Sequence, residues 1–458
     1  METFKKCLKT LHESKSDNEK LAALMVISKI TQVNNSKTNG SGGDCITMNK
    51  DLTSDLYSAV SSTFLLRLLK TSSEKDANAP MFHQLALHVL SVVARVDITI
   101  VLASDDGSKI LSQFVLKLEE SATSKTDDRK SILELFALVA ADKTGCTVLM
   151  NVNNFVCIVT DCLMNPETED ASTTILNSIL THGGNTEELL DVLCKHSEVL
   201  VNNQEIEKFS ELELLSKLLK LIVNANGFDD ESKIKSLSVR GKNFLRNLTL
   251  AAEDLLKSRL KAEYKQMVIS LVSNTALAFD VDWIFEYSTT KSTFCILVLT
   301  SVSVELACLF NLETPLETLN VCTEFIVKSF DICKSLLVFI CSDKFEDSPL
   351  ASDSGFIVNV FNSFRNTMNS VYCFCQTAQS RECALDNPIL VESLSLVCVW
   401  ATEETESLQD ELKETIPLLT KVARNVLDGK FMLCNFFILY CIYRKSSNKR
   451  PLLFNASL

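Results

Sequence analysis

The chain has 458 residues and a mass of 51.0 kDa; 46% of the residues are hydrophobic, and only 11 are Gly and 7 are Pro. This composition excludes disordered, collagen-like and low-complexity proteins, which carry far fewer apolar residues or far more Gly and Pro. Lys and Arg number 45 and Asp and Glu number 58, which gives a net charge of −13. Because phosphate neutralisation dominates nucleic-acid affinity, we expect no nucleic-acid partner for an acidic chain without a long basic block.

The N-terminal residues contain no continuous apolar segment, so no secretory signal peptide is predicted. The 17 cysteines are an odd number, and most lie among aliphatic residues, as Cys157 and Cys398 do. A free Cys packs as a small apolar side chain, so these cysteines predict core positions in a reducing cytoplasm. Cys7, beside Lys5 and Lys6, is a candidate lipidation site, but a single acyl chain binds membranes only marginally, so packing of the Cys7 side chain on the first helix is favoured.

Apolar residues recur at helical spacing along the whole chain. The spacing i, i+3, i+4, i+7 occurs, in chain order, at Ala23, Val26, Ile27 and Ile30, at Ile132, Leu135, Phe136 and Val139, and at Leu215, Leu218, Leu219 and Ile222. Each set lines one face of a helix, and that face must pack on another element. Because no sustained alternation of period two is bounded by hairpin turns, the sequence predicts an all-α protein.

Local signals predict where several helices begin and end. Ser16 with Glu19 forms a capping-box pattern before a helix over 21–29. Gly183-Gly184 predicts the end of a helix over about 172–182, because glycine tolerates the left-handed conformation. Further helix starts are predicted at Thr314-Pro315, Asn387-Pro388 and Ser407.

The length of the chain favours a stack of helical pairs over a single bundle. Each added pair buries its apolar face on its neighbours, so an α-solenoid has no upper limit of size. Residues 143–182 resemble one repeat, with a Gly near the start, two helices and a Gly-Gly end, and their length is typical of armadillo and HEAT repeats. We therefore predict an armadillo/HEAT-like α-solenoid that is continuous over residues 1–430, with a flexible loop at about 33–46.

Two apolar runs are candidates for membrane spans. Residues 294–310 contain Glu305 and several polar residues, which favours a buried helix. Residues 431–443 are followed directly by Arg444, and this run is shorter than the roughly 20 residues that a span needs. No transmembrane helix is predicted, and peripheral membrane association stays open.

A search for chemistry yields no active site. His83 and His88 are five residues apart and would lie on different sides of one helix, so they are poorly placed to share a metal ion. Cys373 and Cys375 would also point to different sides. The sequence lacks a Cys-x-x-Cys pair, a nucleophile elbow, a Walker loop, a dinucleotide fingerprint and the kinase signature set. We therefore predict no catalytic residue, no metal ligand and no cofactor.

Three stretches are similar to one known family. Residues 17–29 contain an acidic pair, Ala-Ala-Leu and a terminal Lys in this order. Residues 282–308 begin Asp-Trp-Ile and continue into an apolar helix with an internal Glu. Residues 400–424 contain Trp-Ala, Glu-Glu-Thr and Pro-Leu-Leu. In this order and at these separations, from about residue 5 to 425, the stretches resemble the neurochondrin family.

The resemblance implies an armadillo-like, non-enzymatic protein of the cytosol, found in neuronal cell bodies and dendrites. It also implies a regulator of neuronal signalling, neurite outgrowth and nervous-system development, with calcium/calmodulin-dependent protein kinase II or receptor cytoplasmic tails as partners. Trp283 and Trp400 are expected to be structural anchors whose indole N–H groups find polar partners. The acidic chain favours basic partner segments. The alternative is a helical-solenoid trafficking adaptor at vesicle or endosomal membranes.

The resemblance ends near Phe431, whereas members of the family continue well beyond this point. We interpret residues 431–458 as an atypical C-terminal segment, either a truncated or alternative ending or an artefact of gene prediction. A solenoid that stops early is expected to expose its last apolar face.

Overall fold

The computed structural model describes residues 1–32, 48–71, 76–104, 106–120, 128–182, 186–203, 207–225, 239–287, 293–310, 316–380, 383–403 and 408–427. In these ranges every regular element is a helix, which confirms the predicted all-α fold class. Within each of the two compact units described below, the helices pack side by side in two layers, as in an armadillo/HEAT-like α-solenoid. Several predicted features lie outside the described residues: the loop at 33–46, Gly183-Gly184, Thr314-Pro315, Ser407 and the segment 431–458.

The chain divides into two compact units, Met1–Val192 and Leu193–Leu458. The helices described in the first unit are α1 (Glu2–Glu13), α2 (Asp17–Gln32), α3 (Lys50–Val60), α4 (Ser62–Lys70), α5 (Ala79–Asp97), α6 (Thr99–Leu102), α7 (Gly107–Glu120), α8 (Asp128–Ala140), α9 (Lys143–Met150), α10 (Phe155–Asp161) and α11 (Glu169–Thr181). In one layer α2, α5, α8 and α11 pack each against the next. In the other layer α1, α3, α4, α7, α9 and α10 follow one another.

Helix α12 (Thr186–Asn202) contains the boundary between the units. The helices that follow are α13 (Glu207–Asn224), α14 (Val239–Lys257), α15 (Ala262–Phe279), α16 (Trp283–Glu286), α17 (Thr293–Leu309), α18 (Leu316–Val321), α19 (Thr323–Ile340), α20 (Asp343–Glu346), α21 (Ser354–Ser380), α22 (Pro388–Glu403) and α23 (Gln409–Leu427). Within the second unit, α13, α15, α19 and α22 pack in succession as the first layer, and α14, α17, α21 and α23 as the second layer. Short helices α16, α18 and α20 lie in the connections between the layers.

The predicted apolar faces form most of the core. The set at Ile132 and the set at Leu215 are completely buried, as their helical spacing predicts. In α2 the prediction is wrong for Val26, which is 38% exposed. The buried stripe of this helix is instead formed by Ala23, Leu24 and Ile27, so the face that packs on the neighbouring helices is rotated from the predicted one.

The helix boundaries follow local hydrogen bonding. Asn387 Oδ1 accepts the N–H groups of Ile389 and Leu390, so α22 starts at Pro388 as predicted. The capping box before α2 differs from the predicted pair of Ser16 and Glu19. The hydroxyl of Ser14 donates a hydrogen bond to the Glu19 carboxylate at 2.6 Å. The predicted repeat 143–182 begins as expected but contains three α-helices, α9 to α11, and a 3-10 turn rather than two helices.

No disulfide joins the cysteines in the described ranges, and many of these cysteines are core residues. Cys398 is buried as predicted, whereas Cys157 is only half-buried. On α21, Cys373 is half-buried and Cys375 is buried, which agrees with the expected difference in direction. The packing of these thiols, like that of the aliphatic side chains around them, follows from the helix face on which they lie.

Among the described residues, no single helix is both long enough and apolar enough to span a membrane. Helix α17, within the first apolar run, is apolar but short, and it is a core helix. One bent pair, Lys143–Met150 with Phe155–Met164, meets the length and composition criteria only when its two parts are taken together.

The last described helix, α23, is amphipathic. Leu418 and Val422 are buried against the preceding helices, whereas Lys413 and Lys421 are exposed. Ile416 is the large apolar side chain on its outer side, at 50% exposure. The described part of this helix thus has a mostly polar outer side. The end of the solenoid lies outside the described residues, so the expectation of an exposed apolar end stays a prediction.

Candidate partner-binding surface

Cys7, the candidate lipidation site, lies on α1 with its side chain half-buried. Burial raises the pKa of the Cys7 thiol, and since the thiolate is the nucleophile, this lowers its reactivity. Lys5 and Lys6 are exposed on the same helix, and Lys6 pairs with Glu2 at 3.0 Å. Lipidation of Cys7 stays a prediction.

His83 and His88 both lie on α5 but have different partners. His83 Nε2 is 2.9 Å from the carbonyl oxygen of Thr71, and His88 Nε2 is 2.6 Å from the hydroxyl of Thr31. Within the described ranges, no group of three or more His, Cys, Asp or Glu side chains is placed to hold a metal ion.

Three helices of the first layer in the second unit, α15, α19 and α22, end beside one another. Phe285, which follows α15, stacks on Phe339 near the end of α19 with ring centroids 5.0 Å apart. Trp400, near the end of α22, shares a crevice with the last turn of α19. The segments 280–287 and 341–353 leave the ends of α15 and α19, and we call these two segments the connector edge.

The Asp282-Trp283-Ile284 segment holds the connector edge together. Asp282 forms an ion pair with Lys344 of α20. Trp283 is 2% exposed, and its ring lies 5.9 Å from that of Phe294 on α17. The segment therefore links the end of α15, the start of α17 and the connection between α19 and α21, which confirms Trp283 as a structural anchor.

A cluster of four phenylalanines lies beside this segment. Phe285 and Phe339 contact Phe345 of α20, each with ring centroids 5.9 Å apart, and Phe345 contacts Phe356 of α21 at 6.1 Å. Phe345 is buried although α20 has only four residues. The cluster thus anchors α20 on the first turn of α21.

Carboxylates dominate the charge of the connector edge. Its exposed acidic side chains, which we call the acidic rim, are Asp280, Glu286, Asp343, Glu346, Asp347 and Asp353. Lys344 is the one basic residue in these two segments. The hydrogen bond to Asp282 is the main cause that raises the pKa of Lys344, and the nearby charges of Asp280 and Glu286 add to it. Because Lys344 is paired with Asp282, the acidic rim keeps a net negative charge.

A narrow apolar crevice opens between α19, α21 and α22. It is lined by Leu337, Ile340, Ile357, Val360, Phe361, Phe364 and Trp400. The ring of Trp400 stacks on Phe361 at 5.9 Å and lies 6.1 Å from Phe364. Ile357 and Phe361 are half-buried, whereas Trp400 is 2% exposed, so the tryptophan lies deeper than these two residues.

The sequence analysis identifies Trp400 but misses the opposite wall of this crevice. Ile357, Val360, Phe361 and Phe364 have the spacing i, i+3, i+4, i+7, which is a signal for one helix face. That spacing predicts burial against a neighbour. It does not indicate that the first turns of α21 are only partly covered, because this depends on where the neighbouring helices end.

The expectation that the two indole N–H groups find polar partners is wrong. In the part of the chain that the structure describes, the indole nitrogens of Trp283 and Trp400 are buried and have no hydrogen-bond partner. Both side chains therefore act through their apolar surface and ring contacts alone. A buried N–H group without a partner reduces stability, so the ring packing must offset that cost.

Two comparisons with known proteins bear on the family of this chain. A family model described as Neurochondrin matches residues 1–430. The chicken (Gallus gallus) protein Neurochondrin is 22% identical over 439 residues, which cover 93% of this chain and 57% of the chicken protein. The chain therefore spans a little more than half the length of this relative. Since the match includes the connector edge, the crevice and nearly all of both helical units, the predicted resemblance is confirmed and the chain belongs to the neurochondrin family.

Proposed function

We propose that this protein is a non-enzymatic cytoplasmic scaffold that regulates neuronal signalling and neurite outgrowth by binding segments of partner proteins. The proposed partners are calcium/calmodulin-dependent protein kinase II and the cytoplasmic tails of receptors. Membership of the neurochondrin family supports this proposal. The mechanism is occupancy of a partner segment, and no bond is made or broken by the protein.

One structural observation supports the proposal: the exposed carboxylates of the acidic rim outnumber Lys344, the one basic residue of the connector edge. An acidic surface is complementary to basic segments of partner proteins. The surrounding layers are rigid packed helices, so such a surface is formed before a partner arrives. This lowers the entropy lost on binding.

Binding to purified partners tests the proposal. The chain is titrated into calcium/calmodulin-dependent protein kinase II and, separately, into synthetic receptor-tail peptides, with binding followed by calorimetry and kinase activity by peptide phosphorylation. We expect saturable binding with a Kd of about 1–10 µM and a parallel change in kinase activity. Absence of binding to both partners at about 100 µM would overturn the proposal.

A further inference from the structure

We propose that the outer face of α2 is a self-association surface, on which a second copy of this chain docks through its own α2 with the two helices antiparallel. The contact is a two-fold symmetric helix pair, so the same residues of both copies form it. The inference goes beyond the proposed function and does not depend on it, because it concerns only how two copies of the chain meet.

The outer face of α2 is apolar at its centre. Met25 is 40% exposed and Val26 is 38% exposed, and Ala22 is exposed about one turn before them. The opposite face, with Leu24 and Ile27, is buried where α2 packs on α1 and α5. Apolar periodicity in the sequence predicts that Val26 packs on another element. A second copy on the outer face would bury the side chain that the fold of one chain leaves exposed.

The exposed residues of α2 have the spacing of a coiled-coil seam. Asn18, Ala22, Met25 and Lys29 follow one another at intervals of four, three and four residues, and all four are exposed. At 3.6 residues per turn these side chains lie within an arc of about 60°, with exposed Glu19 on one flank. We call these five residues the α2 seam. Alternating intervals of four and three residues keep one stripe of a helix in contact with a partner helix along its length.

The α2 seam is complementary to itself in one orientation. When a two-fold axis crosses its middle, Ala22 lies opposite Met25 of the second copy, so that a small side chain meets a large one. At each end, Lys29 then lies opposite Asn18 and beside Glu19 of the second copy. A parallel pair would instead place Lys29 beside Lys29 and Glu19 beside Glu19. Charge therefore selects the antiparallel pair.

The charged ends of the α2 seam are available to a second copy. Glu19 accepts the Ser14 hydroxyl through Oε2, which leaves its other oxygen for an ammonium group. Lys29 is exposed and makes no ion pair with the described residues. Because the seam contains one acid and one base, two copies meet there without the repulsion that acidic surfaces of a chain with a net charge of −13 produce.

Contacts on its other sides hold α2 in place before a second copy arrives. The Thr31 hydroxyl lies 2.6 Å from His88 Nε2 of α5, and Asp17 pairs with Arg67 of α4 at 3.1 Å. A surface that is already ordered loses little entropy on binding. The contact is nevertheless small, since a helix of 16 residues is about 24 Å long. A single helix pair of this length favours a weak dimer.

Sedimentation of the full chain at about 1–300 µM measures the self-association. Met25→Glu places a charge at the centre of the α2 seam, and Leu116→Glu is its control at a similarly exposed side chain of α7 (48%). Glu19→Lys and Lys29→Glu each put like charges at the ends of the helix pair, and Glu317→Lys on α18 is their control. Circular dichroism and thermal melting check that every variant is folded.

We expect the unaltered chain to dimerise with a Kd of about 10–100 µM. Met25→Glu, Glu19→Lys and Lys29→Glu should each weaken the dimer at least about fivefold, whereas both controls should stay within about twofold.

Mixing the two charge variants tests the antiparallel register directly. In a mixed dimer of Glu19→Lys with Lys29→Glu, every Lys of one chain meets a Glu of the other chain at both ends of the helix pair. With a fluorescent tag at the C-terminus of one variant, the mixed dimer should form about as tightly as the dimer of the unaltered chain.

Three results would overturn the inference. The first is an unaltered chain that stays monomeric at about 300 µM. The second is a control variant that weakens the dimer as much as Met25→Glu does. The third is a mixture of the two charge variants that associates no more tightly than either variant alone, because an antiparallel contact between these two positions must restore both ion pairs.

Discussion

His88 donates from Nε2 to the hydroxyl oxygen of Thr31, since the Thr31 hydroxyl hydrogen is used in a bond to the carbonyl oxygen of Ile27 at 2.9 Å. Burial, with a smaller effect from the charge of Arg95, lowers the pKa of His88. Burial also lowers the pKa of His83, against the opposing effect of its bond to the Thr71 carbonyl. Both side chains are therefore neutral in the folded protein at pH 7.

These two histidines should make stability fall as the pH is lowered. The unfolded chain takes up protons near the ordinary His pKa of about 6.5, while the folded protein resists protonation until a lower pH. The free energy of unfolding should therefore decrease from about pH 7 to pH 5, by at most about 1.4 kcal/mol per pH unit for each group. Urea unfolding at several pH values measures this, and His88→Gln should flatten the curve. The same change at exposed His12 serves as the control; an equal flattening there would contradict the assignment.

Substitutions of Trp400 test whether its indole N–H group contributes to the free energy of unfolding. Trp400→Phe keeps a ring beside Phe361 and Phe364 and removes an N–H group that has no partner in the described residues. We expect it to cost less than about 1.5 kcal/mol, whereas Trp400→Ala should cost about 3–5 kcal/mol by leaving a cavity. Denaturant unfolding distinguishes the two variants. Equal losses would show that the N–H group has a partner after all.

At the scale of the helices, Gly145 allows α8 and α9 to meet closely. A Cβ atom at this position would lie 2.2 Å from the carbonyl oxygen of Val139, a backbone atom that cannot move aside. Gly145→Ala should therefore lower the free energy of unfolding by about 2–3 kcal/mol. Gly355→Ala is the control, since its nearest contact is a side-chain oxygen of Asp353 at 3.3 Å, and it should be neutral or slightly stabilising. Chemical denaturation compares the two; equal effects would contradict the close approach.

Small polar residues recur where the helices of the first layer pack in the second unit. Ser273, Ser329 and Ser393 lie on α15, α19 and α22, are completely buried, and have hydroxyl groups without a hydrogen-bond partner in the described residues. Their small volume fits the space between packed helices, whereas their hydroxyl groups carry an uncompensated desolvation cost.

Ser329→Ala should therefore be neutral or stabilise the protein by up to about 1 kcal/mol, because it removes only the hydroxyl group. Thr367→Val is the matched control, since the Thr367 hydroxyl donates to the Ser363 carbonyl at 3.0 Å, and it should destabilise by about 1 kcal/mol. Thermal unfolding of both variants provides the measurement. A clear loss of stability in Ser329→Ala would mean that this hydroxyl is satisfied in solution.

At the scale of the whole molecule, the net charge of −13 determines which charged surfaces attract or repel the protein. Anionic membranes repel such a chain unless a basic patch is concentrated at one place. We expect no co-flotation with phosphatidylserine vesicles at physiological salt, and binding to vesicles of cationic lipid that decreases as salt is added. Strong, salt-resistant flotation with the anionic vesicles would contradict this expectation and favour a trafficking adaptor.

Local patterns in the sequence determined the class of fold and the family. Helical spacing at Ile132 and Leu215 identified faces that are buried, and the cap at Asn387 identified a helix start, because both depend on residues a few positions apart. The order of short motifs was enough to recognise the neurochondrin family, since the family model spans nearly the same range.

Only the tertiary structure decided the candidate surface. Asp282 meets Lys344, and Trp400 meets Phe361, across long stretches of sequence. Periodicity says that a face is buried, but it does not say which helix covers it or where that cover ends. For the same reason, periodicity does not predict the exposure of Val26 or the indole nitrogens that have no partner among the described residues. The contacts that build the connector edge and the crevice arise from the packing of helices that are distant in the chain, and packing is a property of the folded layers alone.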